Sequence, residues 1–204
     1  MLLPVLFALA AAQTPSAFIP SEPKNFGPYR NPLPRMPPEI ANQPVDVRVG
    51  IELLVDPSGV PKNCRVLDGG SSPAMADWLC VSMWRRSRFV PAKDQNALPV
   101  HSYYTYWKTF GFTNVVLHSS IALDAVVPVK SNGKPLANRY TGLALLIDAS
   151  GKVEGCKVVR SSGLQELDVV ACSLVKSETF PQTTDEAGGL VRTVRTFSVG
   201  YRSQ

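Results

Sequence analysis

The stretch DPSGVPKNCRV, Asp56 to Val66, is written a second time as DASGKVEGCKV, Asp148 to Val158. Asp, Ser, Gly, Cys and Val recur at matching places, 92 positions apart. The spacing of Cys64 and Cys80 also recurs, in Cys156 and Cys172. A chain that spells one turn and one cysteine pair twice is constrained to build the same small unit twice. At 204 residues it has room for two such units.

The residues around each turn say what the unit is. VRVGIELLV alternates, so Val47, Val49, Ile51, Leu53 and Val55 share one face of a half-buried strand. DPSG is turn chemistry: Asp and Ser bond nearby amides, Pro fixes φ, and Gly tolerates positive φ. The next strand carries Cys64 and Val66 on one face and Asn63 and Arg65 on the other. Ser72 and Pro73 read as the N-cap and first position of a helix that runs to about Arg88. Met75, Leu79 and Met83 line its buried side, with Cys80 beside them, and Arg85, Arg86 and Arg88 suit its C-terminal end. Val100 to Phe110 is an aromatic strand.

The second copy repeats the order. TGLALLID and KVEGCKVV are strands, and LQELDVVACSLVKSETF is a helix with Leu164, Leu167, Ala171, Leu174 and Val175 on one side. Ser162 and Gln165 read as a capping box. Leu190 to Arg202 is the last strand. The fold class is therefore α+β, β-β-α-β twice, each unit a small antiparallel sheet with one packed helix. The units span 45–112 and 139–204, with 113–138 as a linker.

Four cysteines allow three pairings. The repeat favours Cys64 with Cys80 and Cys156 with Cys172. Each bridge would close a loop of roughly 15 residues, worth ~3 kcal/mol in the chain-entropy model. Zinc is the rival, but its ligands usually come as close pairs, and none occurs. Free thiols are the third reading.

MLLPVLFALAAAQTPSA opens the chain with an apolar run shorter than the ~20 residues a spanning helix needs. We read 1–17 as a signal peptide, cut after Ala12 or Ala17. That makes the protein periplasmic or secreted. The run lacks a positive n-region, so an uncleaved inner-membrane anchor is the alternative. Eight prolines lie between Pro20 and Pro44, and 18–44 reads as a tether rather than core. A net charge of +5 without a long Lys/Arg run gives no footprint for nucleic acid.

Nothing nominates a catalytic group. The two histidines, His101 and His118, lie in no known catalytic signature. Glu166 and Asp168 stand two apart on a helix and do not face each other. The reading is a non-enzyme with no metal and no cofactor; a cell-wall-associated enzyme is the remote alternative.

Each copy resembles the C-terminal domain of TonB, the periplasmic end of the bacterial energy transducer. In the first copy the likeness rests on VDPSGVPKNCRVLDGGSS, a helix ending RRSRFVPAKD and an aromatic strand. In the second it rests on IDASGKVEGCKVVRSSGLQELD, a helix ending ETFP and a closing strand. The cysteine pairs resemble an alphaproteobacterial variant of the family. The resemblance implies binding by strand addition at an exposed edge, the partner being an extended segment of an outer-membrane transporter or another envelope protein. The implied edges are Val100–Phe110 and Leu190–Tyr201, with His101, Tyr103, Tyr104, Thr105, Tyr106, Trp107, Val194 and Thr196 as contact positions. A homodimer through those edges is a further implied arrangement. The resemblance also raises a membrane-anchored energy transducer as the alternative function. The second copy departs from the pattern: it lacks the Arg-x-Arg before Phe180 and carries TTDEAGG in place of PAKD.

Overall fold

The computed structural model describes residues 18–24, 35–41, 47–110, 123–130, 136 and 139–203. The expected signal peptide and His118 lie outside them. Among the described residues, no helix is long and apolar enough to cross a membrane.

The N-terminal part contributes β1 (Glu22–Pro23) and a single helical turn, α1 (Pro38–Ala41). The first copy then runs β2 (Val47–Val55), β3 (Pro61–Asp68), α2 (Pro73–Arg86), β4 (Phe89–Val90), β5 (Ala92–Lys93) and β6 (Pro99–Phe110). Within the expected linker lies β7 (Ala125–Val129). The second copy runs β8 (Tyr140–Ile147), β9 (Val153–Arg160), α3 (Gln165–Val175), β10 (Thr183–Thr184), β11 (Leu190–Val191) and β12 (Thr193–Ser203). The protein is thus a mixed α+β chain in which the β-β-α-β order occurs twice.

Both turns are built alike. Asp56 Oδ1 accepts from the amides of Ser58 and Val60, and Asp148 Oδ1 from those of Ser150 and Lys152. Gly59 and Gly151 have φ of 84° and 88°, and a Cβ at either would run into the carbonyl of Phe89 or Phe180. Those carbonyls belong to the segment that follows each helix and closes over the turn. Phe89 and Phe180 donate their amides back to Gly59 and Gly151 at 2.9 and 2.8 Å.

The strongest helix faces follow the sequence. Met75, Leu79 and Met83 are fully buried against Val47, Val49, Ile51, Leu53 and Val55. Leu167, Ala171 and Val175 pack against Leu143, Leu145 and Ile147. The helix ends differ from the reading. α2 stops at Arg86 because Ser87 is extended, and α3 is shorter at both ends. No capping box forms. Ser162 Oγ bonds the backbone of Leu164 instead, and Asp168 reaches back to the amide of Ser162 at 2.9 Å and the hydroxyl of Thr141 at 2.7 Å.

The two copies share one sheet, in the order β3-β2-β6-β12-β8-β9. Along this path the neighbours are antiparallel except at the centre, where His101, Ser102 and Tyr103 of β6 run parallel to Thr193, Val194 and Arg195 of β12. Register fixes the faces, because directly paired residues point the same way. Ile51 pairs with Tyr106, and Val55 with Ser102, so the α2 face continues through Ser102 to Val194, Leu146 and Ala144. Tyr103, Arg195 and Leu145 lie on the α3 face. The helices therefore cover opposite faces. A twofold relation of this kind has its axis in the sheet, along the strands. Positions correspond with an offset of 92 up to the helices and 91 after them, as Phe89/Phe180 and Asp94/Asp185 show.

Part of the segment read as a tether is tied down, and part of the linker pairs with the sheet. Phe18 is 7% exposed in a cluster with Ala92, Ala144, Leu146 and Val194. Ile19 exchanges two backbone bonds of 2.9 Å with Lys93, and Glu22–Pro23 pairs with Val90–Phe89. So 18–24 is a strap tied to the fold rather than a tether; Pro20 and Pro23 are accommodated because the strap is a two-residue edge pairing. In the linker, β7 pairs in parallel with Val199–Ser203 of β12.

Candidate functional site

The place where the copies meet is the most elaborated part of the molecule. Cys64 joins Cys80, and Cys156 joins Cys172, each with 5.8 Å between Cα atoms, so every half is cross-linked to itself. Neither bridge crosses from half to half, so the contact between them rests on backbone pairing and side chains.

At the centre of the α3 face sits Glu52, 6% exposed. It accepts from Arg65 on the neighbouring strand and from Arg195 across the join, both at 2.7 Å. Arg195 lies over the Tyr103 ring at 4.3 Å and faces Phe180 at 5.7 Å, so its plane is held between aromatics as well as by charge. The Tyr103 hydroxyl and Thr183 Oγ1 are 2.9 Å apart. Beside this cluster is a hollow of about 190 Å³ lined by Glu52, Leu54, Asn63, Arg65, Tyr103, Pro181 and Arg195. Further out, Lys62 meets Glu186 at 2.8 Å and Arg192 meets Asp94 at 3.4 Å, again joining half to half.

The expected contact positions divide. His101 and Tyr103 are engaged with β12 in the parallel join, and Val194 is paired on both sides and fully buried. Those three positions are not open edge. β12 is also covered by β7 over Val199–Ser203, so the expected edge Leu190–Tyr201 is largely occupied by the chain itself. Thr196 pairs with Ala144 on its inner side. Tyr104, Thr105, Tyr106 and Trp107 lie above the join. They pair with β2, and for Thr105 and Trp107 no strand among the described residues pairs on the other side. Trp107 lies flat over Gly50, where a Cβ would come 2.5 Å from the ring, and Arg48 stacks on it at 4.5 Å. Tyr104 and Tyr106 face α2; burial pushes the Tyr104 phenol up to about 12.

Among the described residues, no group of acidic, histidine and cysteine side chains could hold a metal ion. The acids with shifted pKa are structural. For Asp56, burial pushes up, but bonds from the Ser58 hydroxyl, the Val60 and Ser58 amides and Lys62 outweigh it and hold the carboxyl low. Asp148 is held low first by the Ser150 hydroxyl and then by the Lys152 amide. Asp168 is also low: burial opposes, and Ser161, Ser162 and Thr141 prevail. Asp124 moves the other way, raised chiefly by burial.

A pH profile follows. A carboxyl lowered in the folded state stabilises it above the unfolded pKa, about 3.9, and that contribution is lost as pH falls through the lower folded value. With three acids lowered and one raised, Tm is expected to be flat from pH 7 to about 5 and to drop below about 4. Thermal melts between pH 2.5 and 7 check this; a Tm at pH 3 equal to or above that at pH 6 contradicts the assignment.

Comparison of the chain with protein-family models, with curated proteins and with solved structures found no match. Neither Arg195 nor Glu52 stands out in the sequence as a functional residue. The one available signal was the mismatch between copies, since Glu52 corresponds to Ala144.

Proposed function

We propose that the protein is a TonB-like binding module of the periplasm, built from two tandem units. It captures an extended segment of an outer-membrane transporter or another envelope protein by strand addition along β6. The observation that carries this reading is Thr105 and Trp107 of β6, which pair with β2 and with no second strand among the described residues. Backbone groups along such an edge supply affinity, and Thr105 and Trp107, on the face away from α2, supply selectivity. The same chain already accepts strands at two other edges, β7 on β12 and the strap on β5.

A photo-crosslinking side chain at Thr105 is expected to form adducts with an outer-membrane transporter in envelope preparations. The same probe at exposed Val169 on α3 is expected to form none. Equal labelling from both positions, or none from Thr105, sinks the reading. N-terminal sequencing of the mature protein separates the periplasmic module from the anchored transducer. A start at Gln13 or Phe18 leaves the strap in place and removes any anchor.

A further inference from the structure

The fold contains its own comparison for the hollow beside Glu52. With the offsets of 92 and 91, Leu54, Glu52, Asn63 and Arg65 correspond to Leu146, Ala144, Gly155 and Lys157, and Tyr103 and Pro181 to Val194 and Val90. Because the twofold axis lies in the sheet, the matching place is on the opposite face, and there it is full. Phe18 rests on Ala144, Leu146 and Val194, and Gly155 leaves the room, since a Cβ would come 2.8 Å from the Phe18 ring. The strap that delivers Phe18 is held by Ile19 on Lys93. Lys93 corresponds to Thr184 of β10. Thr184 is exposed, and β10 pairs only with β11 among the described residues.

We propose that this second place is a peptide site. An extended segment of a partner protein pairs with Thr184 and turns one acidic side chain into the hollow where the twin holds Phe18. The occupant's chemistry follows from the lining. The twin has an apolar floor and takes an aromatic ring. Here the floor carries Glu52, Arg65 and Arg195, a formal sum of −1 + 1 + 1 = +1. Glu52 already serves both arginines at 2.7 Å, yet the Arg195 Nε is buried and makes no hydrogen bond. Arg65 stands at the rim with 62% of its side chain exposed and has donors to spare. A carboxylate suits an excess positive charge with unused donors. Pro181 stands where Val90 has an amide, so the backbone pairing is confined to the neighbourhood of Thr184 and the side chain has to supply the selectivity.

This site is separate from the β6 edge and does not depend on it. The probe is a synthetic peptide copying residues 17–24, AFIPSEPK, with Phe18→Glu, and the unaltered peptide is its comparison. Binding to the intact oxidised chain is measured by titration calorimetry, and the location by amide shifts in NMR. The acidic peptide is expected to bind at least about tenfold tighter than the unaltered one, with shifts at Thr184, Asn63 and Arg65. Arg65→Gln is expected to weaken it by roughly tenfold, the scale of one charge-assisted bond. That rim variant leaves the Glu52–Arg195 pair intact, so folding is not at stake. Three results overturn the proposal: equal or tighter binding of the unaltered peptide, no binding of the acidic one at millimolar concentration, or shifts confined to Tyr106–Phe110. The last would leave the β6 reading standing while removing this site.

Discussion

Reduction of the two disulfides is expected to unfold the protein or bring it close to unfolding at room temperature. Each bridge spans 16 positions and ties the second strand of a hairpin to the helix that packs on it. In the chain-entropy model a loop of that size contributes about 3 kcal/mol. The bridges lie in different halves with no shared partner, so their contributions are expected to add, to about 6 kcal/mol. Domain stabilities are commonly 5–15 kcal/mol, so the loss is a large part of the whole. Urea unfolding with and without reductant reads it out directly. The double variants Cys64→Ser/Cys80→Ser and Cys156→Ser/Cys172→Ser are each expected to lose about half of the total. A reduced protein with the same urea midpoint as the oxidised one would mean that the hairpin and helix hold together without the bridge.

The second large effect lies at Glu52. Its carboxylate is buried and serves two guanidinium groups from different strands. Glu52→Leu leaves Arg195, whose side chain is 14% exposed, without its counter-charge between two aromatic rings. Breaking a buried pair from one side costs about 3–5 kcal/mol. Arg65 can swing into solvent, so the cost falls on Arg195. Glu52→Leu with Arg195→Met removes both charges and is expected to recover most of the loss, since an apolar replacement of a buried pair is often neutral. The twin supports this, because the corresponding position, Ala144, sits in an apolar cluster. Equilibrium unfolding of the two single variants and the double gives the coupling directly. Additive effects would show that Glu52 and Arg195 do not act as a pair.

The parts of the fold that were legible in the sequence are the local ones. The alternation of Val47–Val55 gave a strand with those bounds, because a period of two survives any tertiary context that buries one face. The cysteine spacing, written twice, pointed to the pairing now seen. The join was not legible. His101–Tyr103 and Thr193–Arg195 are about 90 residues apart, and nothing in either stretch marks the other as its neighbour. Both read as exposed polar-aromatic strands, which is what a parallel partner also requires. The strap was hidden by composition. Pro20 and Pro23 suggest a tether, and the burial of Phe18 depends on Ala144 and Leu146 far along the chain. Glu52 was hidden by periodicity, since an acid on the outward phase of a strand looks like one facing water.

The central position of β12 has a consequence for how the molecule is made. Of the sheet's described strands it comes last in sequence order, yet β6, β7 and β8 all pair with it. The first hairpin and helix can assemble on their own, but His101–Tyr103 lack their parallel partner until β12 docks. Such an intermediate is open to wrong pairing with neighbours, and deletion of 193–203 would take out the middle of the sheet rather than its margin.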